Sequence, residues 1–320
     1  MLRRSLLAAP LLTPFAAAAQ ERFPSRPVRL VIPVAVAGVT DIVGRILAEG
    51  MAAILGRPVV AENIPGAGST VGAAAFQRSP ADGYTLFIAT NNHAVMKAIY
   101  PQIPFDPVAD FIPLALVARQ PFVLAVHPAV PARDVPELLA WLKAEGEKAN
   151  YGAANPGGSN HMAGEQFRQR AGVTFTIVPY RAAAASVQDL VAGRVQLTID
   201  SPTMLLPLIR DGRVRGLAVS TESASALVPG LPSLAEAGIA GYDMTVYQIL
   251  FARPGTPPEV MATLQDAARQ AIAEPSFAQR LAGVGCEPWP DSSPKAASAL
   301  LAADIARMAP VVSAMKLTPG

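Results

Sequence analysis

The sequence predicts an α/β protein of two lobes, each built on a mainly parallel sheet flanked by helices. Three observations lead there. Short β-rich runs ending in small or polar loops alternate with helical periods along most of the chain. A proline-dense stretch interrupts that rhythm in the middle. And the roughly 300 residues that follow the N-terminal leader suffice for two domains with cores of their own.

The chain opens on MLRRSLLAAPLLTPFAAAAQ. Arg3 and Arg4 precede an uncharged, mostly apolar run, and Ala17-Ala18-Ala19 supplies small residues for a signal peptidase. The expectation is a signal peptide over 1–19, cleavage before Gln20 and a periplasmic location; a buried N-terminal helix is the other reading. The Arg-Arg pair only loosely matches the twin-arginine route. Two of the 26 basic residues and none of the 24 acidic ones lie in 1–19, so the remainder carries 24 of each. That balance argues against nucleic acid or a polybasic membrane partner. No later run reads as long and apolar enough to span a bilayer. Cys286 is the only cysteine, so no intramolecular disulfide forms, and its neighbours offer no charge to stabilise a thiolate.

From residue 28 the elements follow in order. VRLVIP (28–33) is a strand, VAVAGVTD a loop, and IVGRILAEGMAAIL a helix with Val43, Ile46, Leu47, Gly50 and Ile54 on one face. VVAEN (59–63) leads into a glycine turn at Gly66 and Gly68, and YTLFIAT (84–90) into NNHA. Eight prolines between 101 and 136 place that stretch in loops and edges. Two apolar runs inside it, 111–118 and 122–128, read as a strand pair crossing between the lobes. YGAAN (151–155), FTIVPY (175–180), LTID (197–200) and RGLAVS (215–220) are further strands, each but the last followed by a helical period. A second crossing falls at 247–257, and helices over 258–273 and 294–308 close the chain. Residues 20–123 with 247–320 then form lobe 1, and residues 124–246 form lobe 2.

Ligands of open α/β sheets bind beyond the carboxyl ends of the strands. The loops there, at 34–41, 63–70, 90–93, 154–161, 179–182 and 200–203, hold Gly, Ser, Thr, Asn and Asp with few full charges. Helices start directly after most of them. The first N–H groups of a helix lack internal partners and favour an anion. The glycine turn does not match a nucleotide fingerprint: Val71 stands where G-x-G-x-x-G needs its third glycine, and no Gly-Lys-Ser/Thr follows. Gly66 and Gly68 serve either a tight left-handed turn or a ligand, and Thr40 or Asp41 either a helix cap or a ligand. Arg181 is suited to a carboxylate or to solvent, and Asp200 to a cap or an inter-lobe latch. No histidine pair has zinc spacing, and no cofactor is expected.

Over nearly the whole chain after the leader the sequence resembles the periplasmic solute-binding receptors of tripartite tricarboxylate transporters, the Bug-type receptors. The likeness lies in FPSRPVRLVIP, TDIVGRILAEGMAAILGRPVVAENIPGAGSTVGA, SPADGYTLFIAT, IPFDPVADFIPLALVA, YGAANPGGSNHMAGEQF, VPYR, DLVAGRVQLTID, RVRGLAVST and LPSLAEAGIAGYD. It implies a type II-like Venus flytrap that closes on a small organic anion, a carboxylate or dicarboxylate, and serves a membrane transporter or a sensor as a monomer. The residues it assigns to ligand are Val36, Gly38, Thr40, Asp41, Thr90, Asn91, Ala154, Asn155, Gly158, Ser159, Asn160, Arg181 and Asp200. In the family the first jaw usually reads Pro-Phe-Pro-Pro-Gly-Gly-Ser-Thr-Asp. Here it reads Pro33-Val34-Ala35-Val36-Ala37-Gly38-Val39-Thr40-Asp41, more apolar and with fewer donors. Tyr180-Arg181-Ala182 replaces a frequent Tyr-Lys-Gly, and Ser201 replaces the usual Asn. Two other readings compete: a hydrolase using Ser159 or His161, and an orphan receptor acting only in signalling. The sequence supplies no G-x-S-x-G elbow and no acid/base pair, which favours reversible binding.

Overall fold

The computed structural model describes residues 22–154 and 157–315; the leader and Asn155 lie outside them. The chain runs β1 (Val28–Ile32), α1 (Val39–Leu55), β2 (Val59–Asn63), α2 (Thr70–Gln77), β3 (Thr85–Thr90) and the short α3 (Met96–Ile99). After the proline-rich loop come β4 (Ile112–Gln120) and β5 (Val123–Val126), then α4 (Val135–Glu145), β6 (Asn150–Ala154) and α5 (Ser159–Ala171). β7 (Thr176–Tyr180), α6 (Ala183–Val191), β8 (Leu197–Asp200), α7 (Pro202–Arg210) and β9 (Arg215–Val219) continue the alternation. The last elements are β10 (Val246–Ala252), α8 (Pro258–Ala273), α9 (Pro275–Ala282), β11 (Glu287–Pro288) and α10 (Pro294–Ala314).

Two sheets form, ordered β11-β4-β10-β3-β1-β2 and β7-β6-β8-β5-β9. β4 and β5, read from sequence as one strand pair, lie in different sheets, and the chain crosses between them at Gln120–Val123. It returns between β9 and β10, earlier than the 247–257 expected from sequence, because that segment is already β10 of the first sheet and its loop to α8. Each sheet is mixed, for a reason that lies in these crossings. β1, β2 and β3 run parallel, as do β6, β7 and β8. β10 and β5 are the strands by which the chain enters each sheet from the other lobe. They start where the neighbouring strands end, so they pair antiparallel with β3 and β4, and with β8 and β9.

The inner parallel strands β1, β3, β6 and β8 are buried on both faces, which explains their near-continuous apolar sequences, whereas the edge strands β2 and β7 are partly exposed. On one face of the first sheet, Val43, Leu47 and Met51 of α1 pack with Leu264 and Ala268 of α8. On the other, an aromatic cluster of Phe76, Phe87, Phe111 and Phe251 continues through α10 and α5 to Tyr151 and Phe175 of the second lobe. Val187, Leu190 and Leu205 cover the far face of the second sheet. Ile54 departs from the expected stripe. It is 37% exposed, because the stripe passes to Met51 before α1 ends at the left-handed Gly56. α10 also corrects the sequence reading. It extends to Ala314 and reaches a mean hydropathy of 1.3, within the range of a membrane span by length and composition. Its Ala297, Leu301, Met308 and Val311 are buried in the same core as α5, and its Asp304 accepts a hydrogen bond from Tyr247.

Candidate functional site

The carboxyl ends of β1, β2 and β3 share one edge of the first sheet, because the three strands pair in parallel register. The ends of β6 and β8 share an edge of the second. Among the described residues a contact joins the two edges: the Ser159 hydroxyl, at the start of α5, donates to Asn91 Oδ1, just after β3, at 2.7 Å. Asn91 is 3% exposed and its amide nitrogen approaches Met244 Sδ at 3.9 Å. A residue 68 positions away thus completes the cleft contact of the second jaw.

Both long helices that open on this cleft begin alike. Gly38 and Gly158 are the N-caps of α1 and α5, extended in backbone and without a side chain to cap the turn. The leading amides of each helix therefore have no internal partner and are available to an anion. Thr40, in the first turn of α1, is buried. Val36 projects from the first jaw at 68% exposure.

Asp41 holds that jaw in shape. Its carboxylate accepts from the Ala37 amide at 2.9 Å, Arg45 Nε at 3.0 Å and Asn63 Nδ2 at 2.8 Å. Asn63 also donates to Val34 O and accepts from Arg45. Burial works to raise the Asp41 pKa, but the hydrogen bonds from Arg45, Asn63 and Ala37 outweigh it and hold the carboxyl below its usual value. The brace carries a backbone cost: Ala37 has φ 67°, a left-handed conformation that glycine adopts without a steric penalty. Beside it, Asn92 Nδ2 reaches Gly68 O at 3.5 Å and ties the β3 loop to the glycine turn. That turn runs through positive φ from Gly66 to Ser69, and Tyr100 packs directly on Gly68. Tight turn geometry accounts for Gly68.

The second jaw has its own brace. Asn160 accepts from the Ala154 amide at 2.6 Å and donates to Ile199 O at 2.6 Å and to Asp200 Oδ2 at 3.0 Å. It stitches the ends of β6 and β8 to the first turn of α5. Asp200 also accepts from the Ser201 amide at 2.7 Å. Burial pushes its pKa up to about 6 against the pull of those two hydrogen bonds. Arg181 is exposed in the turn before α6, and Thr90 Oγ donates to Asn92.

The Ser159, His161 and Asp200 trio makes no hydrogen bond among its own side chains in the described structure. His161 Nδ1 accepts from the Gly157 amide at 3.1 Å, and Nε2 stands 3.9 Å from Glu165. Burial, helped by nearby Arg168, lowers the His161 pKa to about 4, so the ring is neutral at neutral pH. His93 is likewise lowered to about 4 by burial, and its Nε2 meets Pro107 O. Burial raises the Cys286 thiol to about 12. No group of three potential metal ligands occurs among the described residues. Sequence reasoning missed Arg45 and Met244, which act on the jaws from outside the strand-end loops, and did not single out Asn63, although it opens the 63–70 loop.

Residues 43–317 match the family described as the tripartite tricarboxylate transporter family receptor. Protein BugT of Bordetella pertussis is 30% identical over 294 residues, covering 91% of this chain and 90% of BugT. A Cupriavidus necator relative, described as a protein in the gbd 5' region, is 36% identical over 275 residues, 86% of this chain and 83% of its own. Among solved structures, an R. palustris protein with adipate superposes with a TM-score of 0.81 at 32% identity, covering 92% and 98% of the two chains. MatC from Rhodopseudomonas palustris, with bound malate, gives 0.79 at 30% identity, covering 91% and 100%.

Proposed function

Because the chain belongs to the tripartite tricarboxylate transporter receptor family, we propose that it captures a small dicarboxylate between its lobes and releases it unchanged to a membrane transporter. The observation that carries this reading is the Ser159–Asn91 hydrogen bond. It brings the uncapped start of α5 to the loop beside β1, whose own loop leads into the uncapped start of α1. A carboxylate held there meets neutral donors and two helix ends, and needs no arginine. The adipate and malate of the two superposed proteins support a dicarboxylate of that size.

In this reading Gly38, Thr40, Thr90, Asn91, Gly158 and Ser159 face the ligand. Asp41, Asn160 and Asp200 act at one remove, by holding the loops. Asn155 belongs to the second jaw by its place in the sequence. The exposed Val36 favours a ligand with an apolar middle. Ser159 bonds to Asn91 and not to a base, which supports binding without turnover. The protein works as a monomer in the periplasm after removal of residues 1–19, with lobes divided near residues 123 and 246.

A thermal-shift screen of adipate, malate and related dicarboxylates tests the proposal. A ligand at a hundred times its Kd should stabilise the folded state by about 2.7 kcal/mol. A panel without a single hit, or a ligand chemically consumed by the pure protein, would overturn it.

A further inference from the structure

Both crossings between the lobes meet at one residue. Ser220, which follows β9, is completely buried. Its amide donates to Phe122 O at 2.9 Å, and its carbonyl accepts from the Met244 amide at 2.7 Å. Its hydroxyl repeats both links: Oγ accepts from the Phe122 amide at 2.8 Å and donates to Met244 O at 2.8 Å. Phe122 lies on the outgoing crossing and Met244 on the returning one. One hydroxyl, used as donor and acceptor together, therefore ties the two strands side by side.

The returning crossing changes allegiance at this point. Tyr242 donates its hydroxyl to Ala163 O of α5 at 3.0 Å, in the second lobe. Arg307 of α10 donates to Asp243 O and pairs with Asp304, which Tyr247 also holds. Tyr242 and Asp243 are adjacent, Met244 is bonded to Ser220 of the second lobe through both its amide and its carbonyl, and β10 of the first sheet begins at Val246, so the change of lobe falls within Asp243–Thr245, around Met244. Met244 also reaches the cleft, where its sulfur lies against the Asn91 amide and Asn91 accepts from Ser159. The links run unbroken from Phe122 through Ser220, Met244 and Asn91 to Ser159.

We propose that Ser220 is a positioning residue for ligand capture: its hydroxyl sets the hinge at Met244, and that setting determines whether Asn91 meets Ser159 across the cleft. The hydroxyl touches no ligand. It acts by keeping the binding-competent arrangement populated, and apparent affinity falls in proportion to any loss of that population. This rests on the binding reading above for its use, although the hinge itself is a property of the free protein.

The test uses the full chain with spin labels at two exposed helix positions, Ala53 of α1 and Gln188 of α6. Cys286 is buried and its thiol is held protonated, so it does not take up label. In ligand-free protein the inter-lobe distance distribution is expected to be narrow, to broaden in Ser220→Ala and to stay narrow in Ser220→Thr, which keeps the hydroxyl. Where a member of the adipate and malate panel binds, Ser220→Ala is expected to weaken it about five- to tenfold, the range of one or two neutral hydrogen bonds, and Ser220→Thr to restore it. A merely structural serine would lower the melting temperature and leave the distance distribution unchanged. Met244→Leu provides the arm that does not depend on Ser220→Ala folding, since it conserves volume and removes only the sulfur facing Asn91; it too is expected to broaden the distribution. Narrow distances in both variants would overturn the hinge assignment. A panel that fails to bind wild type would overturn the receptor reading instead, with the distance measurement still deciding the role of Ser220.

Discussion

Replacing Asp41 by alanine removes three hydrogen bonds at once, those from Ala37, Arg45 and Asn63. A hydrogen bond to a charged group contributes about 1.5–3 kcal/mol in isolation, but these do not add. Ala37 sits in an exposed loop, and Arg45 is 42% exposed, so water takes over both donors. Asn63 keeps Val34 O. The net loss expected is about 2 kcal/mol, seen as a lower urea midpoint and a fall of a few degrees in Tm without ligand present. The effect should also depend on pH. The Asp41 pKa is lowered in the folded state, so its contribution is present above the unfolded carboxylate value of about 3.9 and is lost as pH falls through the lower folded value. Wild type and Asp41→Ala should therefore converge in acid. If Asp41 served the ligand alone, apo stability would be unchanged at every pH and only affinity would drop. That result would refute the brace.

Asp200 should show the opposite sign. Its folded pKa of about 6 lies above the unfolded value, so stability falls as pH rises from about 4 to 6, by an amount on the order of 2–3 kcal/mol; urea midpoints for Asp200→Asn should lose that slope. Ala37→Gly relieves a left-handed alanine and is expected to raise stability by about 0.5–1 kcal/mol after the entropy of glycine is subtracted, with an unchanged or lower midpoint as the contrary result. Thr40→Val and Ser159→Ala should each weaken dicarboxylate binding about ten- to a hundredfold, the first with little change in apo Tm and the second with some loss of it, because Asn91 Oδ1 loses its donor; titration calorimetry reads the affinities, and unchanged affinity in both would remove these hydroxyls from the site.

Alternation of strand and helix was legible because parallel strands buried on both faces must be apolar and must be joined by helices. Strand direction was not: β10 and β5 run against their neighbours because of which lobe they come from, a fact of the long-range path that no local pattern records. The loops that flank the cleft were legible as short polar segments before helices. What each residue does there was less so. Asp41 reads as a cap or a ligand group in sequence, and only its contact with Asn63, 22 positions away, distinguishes a brace. Asn160 likewise stitches two strands that lie far apart in the chain. Met244 lies in no motif, and Ser220 reads in sequence only as the end of the strand run RGLAVS. Their importance comes from meeting at the two crossings, of which the sequence locates the first but places the second too late, at 247–257, where β10 already runs in the first sheet.

Native mass spectrometry of the purified chain, incubated with the dicarboxylate panel and then denatured to release what it holds, tests the central claim most directly. One dicarboxylate bound per chain and recovered with its mass unaltered is the expected result. A chain that retains none of them, or that returns a product of different mass, would contradict the account of a receptor that grips its ligand between two jaws and lets it go intact.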